Sequence, residues 1–325
     1  MDTDRLELLD KIASLYYEEG LSQVQVAAKT GYSPSMISRL LTEARQQGVV
    51  EIRIHHPIPR RVDLEQELQS LLNLKMVRVV MCGTLEFSQL LRRLGTMAAR
   101  LVEDQAHDNM TIGVSWGTAV YETVTALRMG SDVGVNVVQM IGSLDTPHPE
   151  ISGPELTQQL ARILMGRYTI LPAPLLVDSE ATRQSLLNDS RVRNVMGEFR
   201  RIELALIGVG AVTPPERSAL QRAGYITPEQ AQELQAAGAV GDVCAIFFDI
   251  QGRLTNLPLT RRIVGIDAAN LCAIPVKIGV AGGPFKEFPI IGASRAGLIN
   301  VLVTDDLTAM SILQDIQGNG KDSNG

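Results

Sequence analysis

An α/β protein in two parts is the fold class this sequence predicts: a small helical unit at the N-terminus, then a large Rossmann-like domain. Three observations predict it. Beyond Leu74, short β-rich apolar runs alternate with helical stretches, which implies a mostly parallel sheet covered on both faces. Before Pro57 the apolar spacing is helical, and Gly20, Gly31 and Gly48 cut it into three short segments. The length of 325 residues suits roughly two domains.

The first helix is read over residues 5–19, where Leu8, Leu9, Ile12, Leu15 and Tyr16 share a face. Ser22 can cap a second helix that stops at Gly31. Ser33-Pro34 opens a third. The serine accepts from the free N–H groups of the first turn, and proline has no N–H to leave unpaired there. After Gly48, residues 49–56 alternate apolar and polar as a short strand does, and Pro57 closes a unit over 1–57. Residues 58–73 read as a linker and oligomerisation helix, with Leu64, Leu68 and Leu71 on one stripe as an expected seam with a second copy. Residues 74–318 form the large domain. Its sheet strands are expected at MVRVVMC, MTIGVSW, VNVVQMIG, LALIGVG, VCAIFFDI, VKIGVAGG and INVLVTD. Residues 319–325 read as a disordered tail.

The second and third helices have the spacing of a helix-turn-helix. Ala27 is small where the helices cross, and Gly31 suits the turn. Ile37 and Leu40 face inward, which turns Ser35, Met36, Ser38 and Arg39 outward. A polar face with one arginine can contact base edges and phosphates in a major groove. The following strand would serve as a wing. Ser33, Ser35, Met36, Ser38, Arg39 and Arg53 are therefore the candidate DNA-contacting residues, with Arg53 and Arg60 expected to touch phosphates irrespective of sequence. Charge agrees locally. The chain carries −6 overall, yet residues 21–61 hold six basic residues against Glu43 and Glu51.

Composition excludes other classes. Apolar residues make up 45% and charged residues 20%, as in ordinary globular proteins. No run of 18 apolar residues suggests a membrane span, and no export signal is read at the N-terminus. Cys82, Cys244 and Cys272 are too scattered for a disulfide framework, which points to a reducing cytoplasm. His55, His56, His107 and His148 do not cluster with them at metal-ligand spacing, so no metal or other cofactor is expected.

In the large domain the informative loop is Gly113-Val114-Ser115-Trp116-Gly117-Thr118, which follows a strand and opens a helix. Glycines let the backbone approach an anion, and the free N–H groups of a helix start can hold it. Gln139, Gly142, Asp242 and Lys286 lie at other glycine-bearing strand ends, which an α/β fold gathers along one sheet edge. Asp242 can accept from sugar hydroxyls, and Lys286 can supply a cation to a phosphate.

Taken in order, LYYEEGLSQVQVA, GVSWG, LPAP, LIGVGAV, GAVGD, FFDIQG, GVAGGPFK and LVTDDLTA resemble the SorC family of bacterial sugar-responsive transcriptional regulators across nearly the whole chain. The resemblance implies a helix-turn-helix joined to an effector domain similar to sugar-phosphate isomerases and deaminases. It also implies a tetramer, operator DNA as partner and a phosphorylated sugar or related metabolite as effector. By the same resemblance the GVSWG loop, Gln139, Gly142, Asp242 and Lys286 fall on the effector pocket. One position departs from the pattern: Ala119 stands where the family usually has a hydroxyl residue, and Thr118 is its neighbour.

The competing reading is an enzyme acting on a sugar phosphate. It would need a general acid and base, for which Asp242 and Lys286 could be offered, but the sequence shows no pocket histidine. A purely architectural DNA protein would not carry so large a second domain. The expectation is a cytoplasmic, non-enzymatic regulator.

Overall fold

The computed structural model describes residues 3–50, 57–128, 134–145, 148–214 and 218–319. The chain forms two compact units, residues 1–57 and 58–325.

The first unit holds α1 (Thr3–Tyr17), α2 (Gln23–Thr30) and α3 (Pro34–Gln46). Ser22 and Gln25 cap α2 reciprocally, and Gly31, in the left-handed region at φ +79°, ends it. The Ser33 hydroxyl accepts from the Met36 N–H at 3.2 Å and fixes where α3 starts. Leu9, Ile12, Val26, Ala27, Ile37, Leu40 and Leu41 make a separate small core. The Arg5 guanidinium, paired with the Glu43 carboxylate, ties α1 to α3. The expected wing, with Arg53, His55 and His56, lies outside the described residues from residue 51 on.

The second unit is built on a seven-stranded, all-parallel sheet in the order β1-β10-β9-β5-β2-β3-β4. These strands are β1 (Met76–Val80), β2 (Thr111–Val114), β3 (Asn136–Gln139), β4 (Arg167–Thr169), β5 (Leu204–Gly208), β9 (Val276–Val280) and β10 (Val301–Asp305). A three-stranded antiparallel sheet adds β6 (Gly210–Ala211), β7 (Ala239–Val243) and β8 (Ile246–Asp249). The covering and flanking helices are α4 (Val62–Leu71), α5 (Phe87–Gln105), α6 (Thr118–Ala126), α7 (Gly153–Ile163), α8 (Glu180–Asn188), α9 (Ser190–Glu198) and α10 (Ala219–Arg222). They continue with α11 (Pro228–Ala236), α12 (Ala268–Ala273), α13 (Glu287–Arg295) and α14 (Asp306–Asn319). Apolar residues on the two faces of the sheet, such as Leu302 and Ile207 on one and Val303 and Leu206 on the other, feed two separate cores.

Two expectations are corrected here. VCAIFFDI is not a strand of the main sheet. It turns back at Cys244-Ala245, both at positive φ, and its second half is β8 of the antiparallel sheet. Nor is the leucine stripe a free seam. Leu64 and Leu68 are buried in the domain's own core, where α4 packs on β1 and α14, and only Leu71 is exposed. Apolar area is worth ~25 cal/mol per Å2 buried, and intramolecular burial claims it first. Leu71→Asp gives up the covered part of this side chain and puts an anion at the last residue of α4, so it is expected to cost about 1–2 kcal/mol of stability. Light scattering should give the variant the same molecular mass as the parent, and a smaller species would restore the seam.

Arg60 is corrected too. It is paired with the buried Glu65 within the second unit, so its charge is already matched and it is not a spare phosphate contact.

Candidate effector-binding site

In this sheet the chain runs outward from β2 through β3 to β4, then returns to the other side of β2 as β5. That reversal opens a crevice between the carboxyl ends of β2 and β5, which is where ligands bind in open α/β sheets. The loops on its two sides are Ser115-Trp116-Gly117 and Gly208-Val209-Gly210. The β2–β5 ladder reaches the first of them: the Ser115 N–H donates to Leu206 O, inside β5, at 3.2 Å.

Ser115 is buried, Trp116 packs half-buried on the core, and Thr118 is exposed. Gly117 stands at φ +107°, a conformation that L side chains rarely adopt, and α6 starts immediately after it. Its own N–H donates to Ile151 O at 3.0 Å. Among the described residues, no acceptor takes the N–H of Thr118, Ala119 or Val120, the first turn of α6. Unpaired donors with the positive end of a helix behind them suit an anion.

Across the crevice, the Lys286 Nζ donates to Val209 O at 2.6 Å. Asp242 sits on β7 opposite Gly210, and its Oδ2 accepts from the Ala245 N–H at 3.1 Å. The pair therefore meets at the Gly208–Gly210 loop, although Asp242 belongs to the small sheet and not to the end of a main strand. Burial pushes the Asp242 carboxyl up to about 6, with the Ala245 bond and the Lys286 charge opposing it. Burial also pushes Lys286 down to about 8, with Asp242 opposing. Each is a charged group held partly out of water.

Three expected site residues are packed or bonded within the fold. Gly113 lies inside β2, buried against Met140. The Gln139 side chain is fully buried and spent: its Nε2 donates to Ile141 O at 2.6 Å and its Oε1 accepts from Leu171 N–H at 3.3 Å. Gly142 lets two backbones meet, since a Cβ there would fall 2.4 Å from the Pro174 carbonyl. Gly142→Ala is expected to cost about 1–3 kcal/mol by overpacking, read as a lowered urea midpoint. A variant as stable as the parent would show that this contact yields freely.

A shallow depression lined by Leu220, Tyr225, Ile226, Phe247 and Leu259 among others is almost wholly apolar. Its Tyr225 hydroxyl is bonded to the Asp145 backbone. No helix among the described residues is long and apolar enough to cross a membrane.

Comparison with known proteins agrees with this organisation. Residues 56–314 match the family described as "Putative sugar-binding domain". The chain is 31% identical over 310 residues to the transcriptional regulator LsrR of Escherichia coli K12, covering 95% of each chain. It is 30% identical over 318 residues to the sorbitol operon regulator of Klebsiella pneumoniae, covering 96% of this chain and 99% of that one. A deoxyribonucleoside regulator of Bacillus subtilis is 29% identical, covering 97% of this chain and 100% of the other. The crystal structure of the full-length Klebsiella regulator, SorC, superposes with a TM-score of 0.75 over 96% of this chain and 99% of that one. With its switch-point crevice and a family match over most of its length, the chain belongs to the SorC family of sugar-binding transcriptional regulators.

Proposed function

We propose that the protein is a cytoplasmic, non-enzymatic regulator whose operator binding is set by a phosphorylated sugar held in the crevice between β2 and β5. The observation that carries this reading is the set of unpaired N–H groups on Thr118, Ala119 and Val120, with Lys286 and Asp242 across the crevice. The phosphate would sit on the first turn of α6 and draw a charge-assisted bond from Lys286. Asp242, an acceptor only when ionised, would take sugar hydroxyls. Ser115, Trp116 and Gly117 shape the floor, and Gly113, Gln139 and Gly142 hold it. The relatives that are named for a sorbitol operon and for deoxyribonucleosides support a polyol or sugar skeleton as the ligand class.

Operator contact is assigned to α3, through Ser33, Ser35, Met36, Ser38 and Arg39, with Arg53 as an added phosphate contact. A single such helix reads few base pairs, so a homo-oligomer, by family resemblance a tetramer, would supply paired half-sites. Effector binding would then act by shifting the balance between quaternary arrangements. The enzyme reading is weaker. Asp242 and Lys286 have the shifted proton affinities of an acid and base, but Asp242 is anchored to the Ala245 N–H and Lys286 to Val209 O.

The test is calorimetry with hexitol and pentose phosphates beside their dephosphorylated forms, followed by operator titration with whichever binds. Phosphorylated ligands are expected to bind and to change operator affinity. Equal or tighter binding of the free sugars would remove the phosphate from the first turn of α6. Turnover of a bound sugar phosphate would favour the enzyme.

A further inference from the structure

The chain enters the second unit at residue 58 and is tied down at once. Pro59 O accepts from the Met81 N–H at 2.9 Å, and the Arg61 N–H donates to Val79 O at 3.0 Å. Arg60 bridges Val80 in antiparallel fashion. Residues 59–61 thus form a short strap on the otherwise open edge of β1. Glu65, only 4% exposed, locks it by bonding Arg60 at 2.8 Å while accepting from the Val79 N–H at 2.9 Å.

Beyond the strap, β1 leads to Cys82, whose N–H donates to Asp306 Oδ1 at 2.9 Å. The preceding residue, Asp305, is buried and serves the opposite side. Its Oδ2 accepts from the Gly283 N–H at 2.7 Å and from the Thr308 hydroxyl at 2.7 Å, and its Oδ1 accepts from the Thr308 N–H at 2.9 Å. A Cβ on Gly282 would fall 2.4 Å from Asp305 Oδ2. The loop that delivers Lys286 to the crevice therefore rests on one carboxylate, and the end of β1 hangs from the next. Arg61 in the strap, bound chiefly by Asp63, also feels the charge of Asp306.

These two side chains have no place in the effector crevice itself. Cys82, Asp305 and Asp306 lie close enough to share an ion, but their hydrogen bonds are already committed within the fold. The two sets of bonds are joined through the chain, Asp305 ending β10 and Asp306 opening α14, and through the β1–β10 ladder, where Asp305 stands opposite Val80, so displacing one carboxylate strains the other. The geometry points to Asp305 and Asp306 as positioning residues that pass the state of the effector loop to the strap leading into the DNA-binding unit. This rests on the reading of the crevice given above, but its first test needs no ligand.

The experiment is amide hydrogen exchange on the full chain, resolved at the strap. Gly282→Ala forces Asp305 aside and should speed exchange at Met81 and Arg61 by roughly tenfold, with β2 and β3 amides unchanged. Asp306→Ala should free the same strap amides while Gly283 stays protected. Asp306→Asn keeps an oxygen for the Cys82 N–H and should restore protection. If Gly282→Ala frees Gly283 and leaves Met81 and Arg61 as in the parent, the coupling is absent. In the ligand arm, inorganic phosphate and ribose 5-phosphate are the probes. A bound probe should slow strap exchange in the parent and not in Asp306→Ala. Binding with no change at the parent strap overturns the relay. If neither probe binds, the crevice reading fails, and the Gly282→Ala comparison decides the relay alone.

Discussion

Lys286→Met is expected to weaken sugar-phosphate binding about 100-fold, equivalent to about 2.7 kcal/mol, while leaving the unliganded protein slightly more stable. The opposite signs follow from where the lysine sits. Burial holds its folded value down to about 8, so the native state binds that proton less tightly than the unfolded chain does. Stability therefore rises with pH between about 8 and the ordinary lysine value, and the full cost is carried below about 8. Asp242 is the mirror case. Burial raises its folded value to about 6, so stability falls as pH climbs from the ordinary aspartate range to about 6, and the full cost is carried above it. At neutral pH both groups are charged and both weaken the free fold. A phosphate beside Lys286 and hydroxyls on Asp242 give each charge a partner.

Methionine removes the buried ammonium but also the Val209 bond and the counter-charge for Asp242, which will take up a proton more readily in its absence. The net gain at pH 7 is put at about 1 kcal/mol, measurable by urea denaturation. In the parent, affinity should be greatest between about pH 6 and 8 and fall above about 8 as Lys286 deprotonates. The alkaline fall should vanish in Lys286→Met. A variant that binds the phosphate like the parent would place the pocket elsewhere.

The parts of the molecule that were legible in the sequence are those governed by local rules. Ser33-Pro34 and Gly31 fix the ends of α3 and α2 through caps and a left-handed turn, and six of the seven parallel strands announce themselves as apolar runs, whereas the short, largely exposed edge strand β4, Arg167–Thr169, does not. The Ser115–Thr118 segment was legible as a strand-to-helix turn, because Gly117 permits the positive φ from which α6 starts. What escaped depends on partners distant in sequence. Cys244-Ala245 carries no turn chemistry, so the hairpin it makes was read as straight strand. It holds because the Asp242 carboxylate accepts from the Ala245 N–H. Gln139 looked like a ligand contact because it ends a strand. Only the fold shows both ends of its amide spent on Ile141 and Leu171. The leucine stripe on α4 was correctly apolar, but periodicity cannot say which surface will cover it, and β1 and α14 do so. Asp305 and Asp306 entered the sequence reading only as part of an apolar strand run and of a family motif. Their connection to Gly283 on one side and Cys82 on the other spans more than 20 and more than 200 residues of chain, which no local pattern can carry.

Arg39→Ala is expected to weaken operator binding by about 1–3 kcal/mol, roughly 5- to 150-fold, with little change in affinity for unrelated DNA. Several cations of the first unit are already paired or folded back. Arg5 is held by Glu43, and Lys29 by Glu19 at 2.7 Å. Arg45 folds back onto Leu41 O and the Thr42 hydroxyl. Arg39 is exposed on the same face of α3 as Ser35 and Ser38, and among the described residues no acid takes its guanidinium. An exposed, unpaired guanidinium keeps its fork of donors for the acceptors of a guanine edge, a geometry that a phosphate contact does not require. Ile37, Leu40 and Leu41 bury the other side of α3, so the helix cannot rotate to offer a different set. Because no hydrogen bond or ion pair ties the side chain down among the described residues, thermal unfolding of Arg39→Ala should match the parent. Competitive gel-shift titration at fixed salt separates the possibilities. An equal loss on operator and non-operator DNA, with a shallower salt dependence, would make Arg39 a backbone contact. An unchanged operator affinity would take α3 out of the groove.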